Sequence, residues 1–90
     1  MKAEHLRDLR IAILLELYRV QPLGRRAVVL HKLVQPEVAC DVTDVGAQLL
    51  FLQGKKFVYD IKADEISPGL DPYWFITADG MTHCEKKHLV

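Results

Sequence analysis

Cys84 and His88 stand four residues apart near the end of the chain, a spacing that puts both on one face of a helix. A closed structural zinc site wants four ligands, so this pair falls short. Cys40 and His31 complete such a set only if the fold brings them alongside. His83 beside Cys84 is no catalytic pair either, because thiol chemistry needs a base placed in space and an oxyanion site. Ser67 precedes Pro68 in a turn with no His or Asp motif near it. Asp64 and Glu65 are adjacent, so on an extended chain they diverge. There is no glycine-rich phosphate loop. His5 and His83 receive no role. Neither catalysis, nor a metal, nor a cofactor is expected.

The two cysteines fit no disulfide framework, which suits reduced thiols in a cytoplasmic protein. Charges at Lys2, Glu4, Arg7, Asp8 and Arg10 interrupt any leader-like start. The longest apolar run, Ile11 to Leu15, is far below the ~20 residues that span a bilayer. A soluble chain with no membrane contact is the expectation. Ninety residues, half of them apolar, make one domain over 1–90. Twelve basic residues balance twelve acidic ones, so any attraction to nucleic acid must come from a local patch.

The elements that position these side chains follow from periodicity and punctuation. Leu6, Leu9, Ile13, Leu17 and Val20 recur at threes and fours, predicting a helix over about 3–20 that Pro22 and Gly24 end. A second helix is expected over about 25–34, with Ala27, Leu30, Leu33 and Val34 inward and Arg25, Arg26 and Lys32 outward, closed by Pro36. Asp41-Val-Thr-Asp44 signals a capped start for a third helix, with Val45, Leu49 and Leu52 inward. Gly54 stands where a left-handed C-terminal residue is wanted. The period then becomes two, predicting strands over 56–62 and 73–77 around the turn-rich 64–72. Phe75 and Tyr73 then share one face, and Trp74 takes the other. Thr77 caps a last helix over about 78–88, which Gly80 weakens.

Leu49-Leu-Phe-Leu-Gln-Gly-Lys-Lys-Phe-Val58 looks like a recognition helix running into a first wing strand. Trp74-Phe-Ile-Thr-Ala-Asp-Gly80 looks like the second wing strand entering a capped helix. Together they resemble the winged helix-turn-helix superfamily, and within it the small winged-helix proteins of Mu-like prophages. The resemblance implies an α+β fold of three helices, a two-stranded wing and a C-terminal helix. It also implies a regulatory role through double-stranded DNA, with the third helix in the major groove.

Carried onto this chain, that role falls on Thr43 and Gln48 as base readers, with Arg25, Arg26, Lys55, Lys56 and Lys62 toward phosphates. The readers are poor. Val42, Gly46 and Ala47 carry no hydrogen-bonding group, and Asp41 and Asp44 have the wrong charge for phosphate. The wing holds Asp60, Asp64, Glu65 and Asp71 against Lys62. Weak, salt-dependent DNA binding is one expectation, and a protein–protein adaptor or phage assembly factor that binds no DNA is the other. The aromatics Tyr59, Tyr73, Trp74 and Phe75 lack the interleaved bases of a single-strand platform. Finally, Ile11, Leu14, Leu15 and Tyr18 widen the first helix's apolar arc past ~100°, predicting a homodimer through that flank unless the last helix covers it.

Overall fold

The computed structural model describes residues 2–62 and 71–90. The long turn expected between the wing strands, with Asp64, Glu65 and Ser67, falls largely outside the described residues.

Helix α1 covers Ala3–Val20, the span its periodicity predicts. A two-residue strand β1, Arg25–Arg26, follows, and only then does α2 run over Ala27–Val34. The expected start of the second helix at Arg25 is therefore corrected: that segment pairs with a strand from the far end of the sequence. Helix α3 spans Val42–Gly54. Strands β2, Val58–Ile61, and β3, Tyr73–Ile76, form the expected antiparallel pair, and α4 spans Ala78–Lys86. The fold is α+β, with four helices and one antiparallel sheet in the order β1-β3-β2 among the described residues.

Both predicted caps form. Asp41 and Asp44 exchange backbone-to-carboxylate bonds of 2.8 and 3.0 Å, a complete capping box despite the short side chain at its third position. The Thr77 hydroxyl accepts from Gly80 N at 2.9 Å and donates to the Lys56 carbonyl at 2.7 Å, so one side chain ties α4 to the end of α3.

Helix α1 is the spine. Leu9, Ile13 and Leu17 lose all solvent contact beneath Leu30 and Val34 of α2, Val45, Leu49 and Leu52 of α3, and Cys84 of α4. The sheet closes the remaining side with Val58, Trp74 and Ile76. Tyr73 and Phe75 turn away from Trp74, as the alternation requires. Leu33 departs from its expected inward place and lies 45% exposed. The helix is only eight residues long, and Leu30 and Val34, four apart, already supply its buried stripe.

Gly54 is still helical, and the left-handed position falls two residues later, on Lys56 at φ 64°. Lys56 N bonds Gln53 O at 2.9 Å and Phe57 N bonds Leu52 O at 3.0 Å, the paired bonds of a Schellman turn. Helix α4 ends in the same way. His88, at φ 55°, bonds Glu85 O at 3.2 Å, and Leu89 N bonds Cys84 O at 2.9 Å. The second turn carries Leu89 back against the core.

Candidate functional site

The expected DNA-facing residues are spread over several elements. Arg25 and Arg26 are consecutive in β1, so their side chains leave opposite faces of the sheet. Arg25 stands across from Trp74 and Arg26 across from Tyr73, and both are half-buried. Arg26 is also the N-cap of α2, so the pair expected as outward helical residues stands instead at the junction of β1 and α2. Lys55 and Lys56 lie beyond the C-terminal end of α3, while Thr43 opens its first turn. At 1.5 Å per residue, about 18 Å of helix separates Thr43 from Lys55. Lys62 is exposed just past β2.

Gln48, the best base reader by residue type, is turned inward. It is 7% exposed, and its side-chain oxygen accepts from Arg10 Nε of α1 at 2.6 Å. Its spacing explains this, because Val45, Gln48, Leu49 and Leu52 form one i, i+3, i+4, i+7 stripe facing α1 and α2. The face of α3 left to solvent carries Val42 (43% exposed), Thr43, Ala47 and Leu50 (62% exposed), with half-buried Gly46 among them. A β-carbon built on Gly46 would meet nothing within 4 Å, so this face is open as well as apolar. Thr43 is its one hydrogen-bonding side chain. Acids mark its beginning, Asp41 and Asp44, and lysines its end, Lys55 and Lys56.

No known protein family, curated protein or solved structure matches the chain. Among the described residues no helix is long and apolar enough to cross a membrane.

The thiols and histidines take structural positions. Cys84 is wholly buried in the core, and burial pushes its thiol above the ordinary range. Cys40 is half-buried, and burial, followed by the nearby Asp44 and Asp41, pushes its thiol up as well. His31 Nε2 bonds the Cys40 carbonyl at 2.9 Å, holding the segment between α2 and α3 by its backbone rather than its sulfur. His5, to which residue type and spacing assign no role, holds the neighbouring Ala39 carbonyl from α1. His83 stacks on Phe57 with ring centroids 4.5 Å apart. No group of three or more His, Cys, Asp or Glu with metal-binding geometry occurs among the described residues.

The flank of α1 expected to meet a second copy is partly covered by its own chain. Leu14 is 2% exposed, and Tyr18 packs on the core while its hydroxyl donates to Glu85 of α4 at 3.0 Å. That bond, the largest cause, holds the Tyr18 proton above the usual phenol range. Ile11 and Leu15 are half-buried. Helix α4 and Leu89 thus cover part of that flank, chiefly at Leu14 and Tyr18. On the outer face of the sheet, Tyr59 and Phe75, partners in register, stack with centroids 5.3 Å apart.

Proposed function

We propose that the chain is a winged-helix module in a regulatory or assembly role, acting by protein contact through the solvent face of α3 and not by reading duplex DNA. The winged-helix reading is supported by the order of three helices, an antiparallel strand pair and a capped last helix. One departure is the link between α2 and α3, residues 35–41, which is longer than the 3–4-residue turn of a helix-turn-helix. The reading of contact is carried by one observation: Gln48 is committed to Arg10, leaving Val42, Ala47 and Leu50 outward where base readers would stand.

The occupant of that face is a second copy of the same face. Gly46 between Val42 and Leu50 lets another helix come close. Antiparallel pairing about a two-fold axis sets the acidic start of α3 in one copy toward Lys56 at its end in the other, and closed two-fold pairing is the commonest oligomer symmetry. Fluorescence anisotropy of a labelled mixed-sequence duplex tests the negative half of the proposal. At about 50 mM salt, where phosphate contacts are strongest, no saturable binding is expected up to tens of micromolar protein. Saturable binding that Lys55→Ala with Lys56→Ala abolishes would overturn it.

A further inference from the structure

We infer that the cleft between α1, the end of α3 and the end of α4 is a binding site for a small amphiphilic anion: one carboxylate or phosphate head on a hydrocarbon or aromatic body. The cleft encloses about 470 Å³, inside the ~300–1,000 Å³ range of small-molecule sites. Its floor is apolar, built by Ile11, Leu14, Leu52 and Leu89 with the Phe51 and Phe57 rings. Its polar lining carries four cations, Arg7 and Arg10 from α1, Lys55 after α3 and Lys87 after α4, with the His83 ring beside them. Among the described residues no carboxylate lines it, in a chain whose acids and bases are equal in number.

That segregation is the decisive feature. Among the described residues the one ion pair is Arg19–Glu16, on another part of α1, so Arg7, Lys55 and Lys87 have no carboxylate partner there. Arg10 is already aimed. Its Nε is held by Gln48 at 2.6 Å, and its guanidinium carbon lies 3.8 Å from the centre of the Phe51 ring. The ammonium of Lys55 approaches the same ring at 5.7 Å. Two cations thus approach one aromatic ring at the edge of an apolar cavity, where a nearby anion is screened less than in open water. The Schellman turns that end α3 and α4 deliver Phe57 and Leu89 to this floor. Neither Val42 nor Leu50 lines the cleft, so it is separate from the exposed face of α3.

Two-dimensional NMR of the isotope-labelled chain tests the inference, with octanoate, monooctyl phosphate, octanol and inorganic phosphate as probes. Octanoate or monooctyl phosphate should saturate and move the amides of Arg10, Ile11, Phe51, Lys55 and Leu89, binding at least tenfold tighter than octanol or inorganic phosphate. The tighter of the two amphiphiles identifies the head group. Arg7→Gln combined with Lys87→Gln, both at exposed positions, should weaken that binding about tenfold while leaving the other amides in place. The inference is overturned if neither amphiphile saturates at millimolar concentration, if octanol or inorganic phosphate binds as well, or if the shifts map elsewhere.

Discussion

A β-carbon on Gly80 would strike the Phe57 carbonyl oxygen and come within 2.8 Å of Ile76 Cγ1. The carbonyl cannot yield, because it accepts from Thr77 N at 2.9 Å. Gly80 is therefore a packing requirement where α4 crosses the start of β2, and the sequence shows it only as a weak helix former. Gly80→Ala should cost about 1–3 kcal/mol in urea unfolding, against the small gain expected of alanine in a helix. Both thiols are held above their ordinary range, so at neutral pH native protein should react slowly with an aromatic disulfide reagent. The fully buried Cys84 should become accessible only on unfolding, and a fast stoichiometric reaction of both thiols in native protein would contradict this packing. Gln48 shows the limit of reading by residue type. Its polarity suggests solvent, while its place beside Leu49 and Leu52 suggests the core, and only the Arg10 partner 38 positions away makes burial acceptable.

At the level of elements, α1, α3 and the two strands of the hairpin were legible because their signals are local. An uninterrupted helical stripe, an Asp-x-x-Asp cap and a period of two each act within a few residues. Strand β1 was not legible, since two residues cannot show a period and their partner, β3, is nearly fifty positions away. Displacing Arg25 and Arg26 from helix to strand undid the expected basic front. The helix ends were half legible: Gly54 announces the stop of α3, but the left-handed position belongs to Lys56, and at α4 to His88. Neither is a glycine, and the conformation costs an L-residue about 1–2 kcal/mol. Lys56→Gly and His88→Gly should each raise stability by about 0.5–1 kcal/mol after the entropy of glycine is deducted. Thermal unfolding of the single variants measures it, and a loss of stability at either site would mean the turn is built differently.

Across the whole molecule, apolar and charged surfaces are sorted in a way that net charge conceals. Cations gather around the cleft behind α3, while the outward face of the same helix is apolar between acidic and basic ends. The sequence already held the weakness of the DNA reading in the side chains of Val42, Gly46 and Ala47. It could not show that Gln48 would withdraw, or that α4 would cover part of the second flank of α1. The pairing of α3 with its copy is tested most directly by sedimentation velocity over a concentration series, comparing the wild-type chain with Leu50→Asp. Wild type should approach twice the 10.3 kDa chain mass as concentration rises, while Leu50→Asp, with unchanged circular dichroism, should stay at 10.3 kDa. A wild-type chain that remains at 10.3 kDa throughout, or a Leu50→Asp variant that pairs equally well, would contradict the account.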